Sequence, residues 1–342
     1  MSTSPISYYR HYVVGRSSLP LKVRVAFTFG AVALLHVLAI ALLATAWTPG
    51  ATPIALGMVI AAYTAGLKHS YDWDHISAID NSTRKFVAEG SNPASVGFAF
   101  SLGHSTVVTM AGVMVVAGAQ FVNGAFEEGS DTNRVLGLIG MGVSGFYLLF
   151  IGLFNSRIAY RLFRHRKVAA HEHVAADGLM TRLIKKPLSK VRKPRDIFVL
   201  GLLFGLGFDT ATTIGLLLLT VSASFAGVPA TALIGLPIAF TAAMTLCDTV
   251  NGLGMMKLYS SALTDRRSRD HFNLTVTLVS SVSALFISVI TLGGFFNDLF
   301  ELEDPLTSWL AEIDLGNAGL VLVAAFALIW GYFFLARHRE EV

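Results

Sequence analysis

Residues 53–80 read PIALGMVIAAYTAGLKHSYDWDHISAID. From Pro53 to Leu67 there is no charge, as in the interior of a bilayer. The next eight residues are Lys68-His69-Ser70-Tyr71-Asp72-Trp73-Asp74-His75, and Asp80 follows. A helix needs roughly 20 apolar residues to cross the hydrocarbon core. This stretch is therefore either no span at all or a span that carries a site. Its surroundings decide the matter, because the stretches 25–47, 94–120, 135–160, 197–225, 229–261, 273–296 and 317–336 are each apolar and long enough to cross. Over the 342 residues 54% are hydrophobic and 14% charged, whereas a soluble domain carries about 25% charged residues. A disordered chain, a coiled coil and an ordinary water-soluble enzyme are excluded. The sequence reads as an all-α polytopic membrane protein with eight transmembrane helices.

Lys and Arg in the loops set the orientation. The segment from Arg157 to Arg195 holds twelve of the 26 basic residues against two acidic ones, Glu172 and Asp177, and is placed in the cytoplasm. Both termini are then cytoplasmic. Arg84 and Lys85, the Arg266–Arg269 group, Arg337 and Arg339 fall inside. Glu127, Glu128, Asp131, Glu301, Glu303, Asp304, Glu312 and Asp314 fall outside. The basic residues lie in loops between apolar blocks, which points to a membrane and not to nucleic acid. The chain divides into a four-helix half (1–160), a basic cytoplasmic loop (161–196) and a second four-helix half (197–342). Residues 25–47 are longer than the 7–15 residues of a signal-peptide core and are kept as a true span. Pro53, Pro93 and Pro229 stand at span starts, where a missing N–H costs nothing. Trp47, Trp309 and Trp330 lie near span ends and fit an aromatic belt. The one cysteine, Cys247, excludes a disulfide framework and a thiolate cluster.

An ionisable group inside a span is expensive and marks a pathway or a site. Counted at 1.5 Å per residue from the cytoplasmic ends of their spans, His36, His69, His104 and Asp209 lie about 16–18 Å deep. Asp248 joins that level if its helix runs on to Met256–Ser260. Imidazole and carboxylate from several spans at one depth read as one site. His69, Asp72 and His75 on an ideal helix cover a sector of roughly 120° and need partners or local unwinding to close around an ion. Gly66, Gly103 and Gly207 would permit close helix approach or irregular backbone at this depth. Imidazole with carboxylate and no thiolate suits Ni, Co, Zn, Cu(II) or Fe(II), not Mg or Ca. Asp72, Asp74, Asp209 and Asp248 would neutralise a dehydrated divalent cation. The bland alternative makes these residues hydrogen-bonding glue between helices.

At these residues the sequence resembles the nickel/cobalt transporter (NiCoT) family of single-component transition-metal permeases. Its H-x4-D-H motif matches His69-Ser-Tyr-Asp-Trp-Asp74-His75, continuing to Asp80-Asn81-Ser-Thr83-Arg84-Lys85. Three further motifs match Phe100-Ser-Leu-Gly103-His104-Ser105-Thr106, Leu206-Gly207-Phe208-Asp209-Thr210-Ala211-Thr212 and Met244-Thr-Leu-Cys-Asp248-Thr249. Lys68, Trp73, Thr213, Ala243 and Asn251 depart from the family's usual residues. The resemblance implies uptake of Ni²⁺ or Co²⁺ through the cytoplasmic membrane, with no prosthetic group and no ATPase subunit. It associates His36 with metal selectivity. The metal positions it implies are His69, Asp72, Asp74, His75, His104, Asp209, Asp248 and His36.

A rival reading is enzymatic. His69-x4-Asp74 also fits an acyltransferase motif in which His is the base and Asp orients it, and His with Asp can hold a hydrolytic zinc. Neither gives a purpose to the polar residues of the other spans. No G-x4-G-K-[ST] stretch is present to cradle nucleotide phosphates. His165, His171 and His173 read as residues of a solvated loop more readily than as a metal relay. Cys247 reads as a small packed residue, and Trp73 as a wall of the metal site. Phe100-x-Leu-Gly103-x-x-Thr106 recurs as Phe204-x-Leu-Gly207-x-x-Thr210, a weak echo of internal duplication.

Overall fold

The computed structural model describes residues 19–46, 53–88, 93–117, 131–167, 193–206, 211–225, 227–260, 266–313 and 318–340. Among them there are helices and no strands. In chain order these are α1 (Leu21–Leu43, with a 3-10 turn at Ala44–Ala46), α2 (Pro53–His69), α3 (Trp73–Ala88) and α4 (Val96–Val116). After these come α5 (Asp131–Lys167), α6 (Pro194–Gly205), α7 (Ala211–Phe225) and α8 (Ala230–Ser260). The last three are α9 (Arg266–Phe300), α10 (Pro305–Ala311) and α11 (Ala318–Glu340).

Five of these helices are long and apolar enough to cross a membrane, over Leu21–Ala46, Val96–Val116, Gly137–Arg157, Ala230–Lys257 and Leu274–Phe300. They coincide with five of the eight expected spans. The expected second span, 53–80, is not one helix. It breaks after His69, and the new helix α3 starts at Trp73. Tyr71 N donates to Lys68 O and Asp72 N to His69 O, each at 3.0 Å, and Ser70 Oγ donates to Leu67 O at 2.7 Å. The joint thus tightens into a 3-10-like turn that leaves these amides paired, as a buried break requires. The expected fifth span is described as α6 and α7, on either side of residues 207–210, so Gly207 and Asp209 lie outside the described residues. In the eighth, the apolar helix runs over Gly319–Ile329.

Prolines do set helix starts. Pro53 opens α2, Pro93 O accepts from Val96 N at the head of α4, and Pro229 O accepts from Leu233 N at the head of α8. Pro194 and Pro305 open α6 and α10 in the same way.

α8 is the hub and packs against α1, α2, α3, α4 and α7. α5 and α9, 37 and 35 residues long, lie along each other; α5 also packs against α3 and α6, and α9 against α3, α10 and α11. Two glycines expected to allow close approach do so. A Cβ on Gly66 would stand 2.3 Å from Phe240 O, and one on Gly103 would stand 2.0 Å from Phe198 O. Backbone therefore touches backbone where α2 meets α8 and where α4 meets α6. The apolar core fills the remainder, with Phe100, Ile197 and Phe204 between α4 and α6, and Leu216, Leu236 and Phe240 between α7 and α8. Trp73 does not wall a metal site; it packs toward Leu148, Ile151 and Ile287 of α5 and α9.

Candidate metal centre

The break between α2 and α3 is what brings two motif histidines together. His69 is the last residue of α2 and His75 lies in the first turn of α3, so their rings face each other across the turn with centroids 4.7 Å apart. On one continuous helix they would have pointed about 120° apart. α4 supplies the third ring. His104 lies with its centroid 4.8 Å from that of His69 and 4.6 Å from that of His75. One nitrogen from each ring falls in a group whose members all lie within 4.8 Å of one another. His69 and His75 are fully buried and His104 is 3% exposed.

Carboxylates fix two of the rings. His69 Nδ1 is 2.6 Å from Asp72 Oδ2, and His75 Nδ1 is 3.0 Å from Asp248 Oδ2. A carboxylate accepts, so in each neutral ring the proton sits on Nδ1 and the lone pair on Nε2. His69 Nε2 points at His104 Nε2, 2.9 Å away. His75 Nε2 and His104 Nδ1 have no partner among the described residues. Two lone-pair nitrogens converging inside a protein call for a proton or a cation between them. Carboxylate–histidine pairs of this kind orient imidazoles that bind metals. Nitrogens about 2.0–2.1 Å from one ion lie roughly 2.9–3.4 Å apart. The cluster meets that spacing on one side and needs a modest contraction on the other.

Aromatic rings close the site. Phe100 meets His75 edge-on with centroids 5.0 Å apart, and Phe240 lies 5.4 Å from His69. A dry shell of this kind strengthens each polar contact within it. The site also stands midway along its span: His104 is eight residues from Val96 and twelve from Val116, about 12 and 18 Å. Asp248 reaches this level because α8 runs unbroken to Ser260, which the depth argument required.

The remaining expected positions are placed differently. Asp74 lies beside the cluster, and its Oδ1 accepts the backbone N–H of His75 at 2.9 Å. His36 on α1 donates from Nδ1 to Val32 O at 2.9 Å and accepts at Nε2 from the Tyr63 hydroxyl at 3.1 Å. It is not a member of the imidazole group, and the proton of His69 Nδ1 is held by Asp72 instead. Asp209 lies outside the described residues, as do His171, His173 and the His165 side chain. Cys247 is half-buried and stands beside Asp248, outside the imidazole group.

The enzymatic alternative needed Asp74 to orient His69. The residue that does so is Asp72, three positions on, while Asp74 serves the backbone of His75. The sequence argument did not single out the buried polar seam beneath the site. Asp80, Asn81, Ser82, Thr83, Arg84 and Lys85 are all buried. Arg84 donates to Val276 O at 2.9 Å and to Ser280 Oγ at 2.5 Å, Asn155 donates to Asn81, and Ser82 shares a 2.7 Å hydrogen bond with Tyr147. The polarity of residues 80–85, which follow the H-x4-D-H motif on the same helix as His75, was the available clue.

The fold and site define a helical membrane protein with a buried three-imidazole cluster buttressed by carboxylates. Comparison with known proteins gives the family. Residues 55–335 match the model of the high-affinity nickel-transport protein family, and the chain belongs to that family. It is 38% identical to the nickel transporter NicT of Mycobacterium tuberculosis over 86% of this chain and 82% of that protein. It is 36% identical to the high-affinity nickel-transport protein NixA of Helicobacter pylori strain J99, over 80% of this chain and 86% of the relative. A cobalt transport protein, NhlF of Rhodococcus rhodochrous, is 33% identical over 96% of this chain and 97% of its own length. No solved structure matches the chain.

Proposed function

We propose that this chain carries Ni²⁺ or Co²⁺ into the cytoplasm across the plasma membrane, with the His69–His75–His104 cluster as the station where the ion loses its water. The observation that carries the proposal is the convergence of three buried imidazole nitrogens at mid-span, two of them oriented by Asp72 and Asp248. The family membership and the names of the relatives support the ion's identity. Neutral imidazole is a good ligand for both ions, and the carboxylates supply negative charge without displacing a ring.

In this reading the chain crosses the membrane eight times with both termini in the cytoplasm. The second stretch crosses as two helices in series, α2 and α3, and the irregular backbone of the joint between them is tolerated because it lines the site. Asp74 holds the head of α3, and Asp209 remains a further metal position by the family motif alone. No ATPase subunit is needed, since an inward potential of 100 mV drives a divalent ion with roughly 4.6 kcal/mol.

Purified protein in liposomes tests the proposal. With an inside-negative potential, radioactive nickel should accumulate with the wild-type chain and stay at background with His75→Ala. Accumulation by the variant equal to wild type would refute the role given to the cluster.

A further inference from the structure

Lys68 immediately precedes His69 and therefore stands at the level of the imidazole cluster. Its side chain is exposed, and among the described residues it has no hydrogen-bond or ion-pair partner. An uncompensated ammonium against lipid tails at mid-depth is costly, and such residues belong in watered cavities. The same face of α2 carries Thr64, Ala61 and Gly57, four, seven and eleven residues earlier, all small and all exposed. Across the joint, Asp74 is partly exposed as well, while the imidazoles behind it are sealed. The joint thus has an exposed charged side and a buried side.

We infer that Lys68 sets the charge of the metal site, its ammonium offsetting one of the carboxylates so that a divalent ion is held loosely enough to leave. The inference rests on the transport reading given above. Asp72, Asp74 and Asp248 lie in or beside the cluster, and metal-binding imidazoles are neutral. Set against these three carboxylates, the one ammonium on the residue before His69 leaves two negative charges, opposite to a divalent ion. A station on a transport route must bind well enough to load and weakly enough to unload. Lys68 is tethered to the chain and cannot diffuse away when the ion arrives, so it opposes binding throughout the cycle.

The experiment measures Ni²⁺ affinity by titration calorimetry of the purified full-length protein, and uptake rate in liposomes, for wild type, Lys68→Gln, Lys68→Met and Lys68→Arg. The neutral variants should bind Ni²⁺ about tenfold more tightly, a screened value for an exposed charge. Their maximal uptake rate should fall, because release slows. Lys68→Arg should match wild type in both measurements, a rescue that a packing role would not give. Unchanged or weaker binding in both neutral variants would overturn the inference while leaving the transport reading intact. So would an Lys68→Arg protein that behaves like them. Failure of the wild-type chain to bind Ni²⁺ would overturn both.

Discussion

Helices α1 and α3 invert each other. α1 is apolar beyond Arg24 except at Thr28 and His36, yet Phe27, Leu34, Val37 and Ile40 are exposed and only Thr28, Val32 and Ala39 are buried. α3 is rich in charge and amide, yet every residue from His75 to Phe86 is buried. In water the assignments would be reversed. In a bilayer the apolar helix can face the solvent, and polar residues are drawn where partners satisfy them. The contrast explains why this polar helix holds the site. It also yields predictions that differ sharply between the two helices.

The largest effect is expected on α3 and its partner. Asp248→Asn should abolish nickel uptake, because it replaces the charged acceptor that fixes His75 with a neutral amide whose NH2 can take the same place. A buried hydrogen bond to a charged group is worth about 1.5–3 kcal/mol. Asp248→Glu should recover part of the activity; equal loss in both would assign Asp248 to packing. Gly97→Ala comes next. The added methyl would stand 1.8 Å from Asp248 O, so α4 and α8 must separate at the site. Thermal unfolding of the detergent-solubilised protein should show a loss of about 1–3 kcal/mol, together with weaker nickel binding.

On α1 the expected effects are smaller and depend on polarity, not shape. Leu34→Ala at its exposed position should leave stability and uptake within about 0.5 kcal/mol of wild type. Leu34→Lys should reduce the amount of protein reaching the membrane, since a central lysine costs about 2.5–3.5 kcal/mol on insertion. His36→Val deletes the hydrogen bond to Tyr63, six residues before His69 on α2. It should shift the ratio of Ni²⁺ to Co²⁺ uptake while leaving His69 in place. A fall of both metals in equal proportion would make it a capacity effect only.

The smallest effect is expected at the far end of α9. Asp304 caps α10, accepting from Leu306 N and Thr307 N at 3.0 Å, and the Thr307 hydroxyl and amide hold its carboxyl below the usual carboxylate range. Its contribution is therefore present above the unfolded carboxylate pKa and fades as pH falls through the depressed folded value. Asp304→Ala should change the fluorescence of Trp309 on α10 at neutral pH, and less so in strong acid.

Much of this was legible in the sequence, because membrane proteins expose their rules in composition. Helix class, five of the long spans and the common depth of His69, His104 and Asp248 follow from apolar runs and a rise of 1.5 Å per residue. The joint at Ser70–Asp72 was not legible as a break. Its residues are compatible with a continuing helix, and the turn is accompanied by a local pairing of Asp72 with His69 and a tertiary pairing of His75 with Asp248, the second of which no local pattern reveals. The roles of the two motif aspartates were equally hidden. The rival enzyme motif pairs Asp74 with His69, whereas the folded chain pairs His69 with Asp72. His36 shared the right depth, but depth says nothing about azimuth, and its ring turns toward Tyr63.

The central claim is that imidazoles hold the ion and aspartates hold the imidazoles. X-ray absorption at the nickel edge of the purified, nickel-loaded protein tests it directly. The account predicts outer-shell scattering from three imidazole rings and no sulfur neighbour, with one ring lost in His75→Ala and the ring count unchanged in Asp248→Glu. A wild-type spectrum of oxygen neighbours with no more than one ring, or one that includes the Cys247 sulfur, would contradict it.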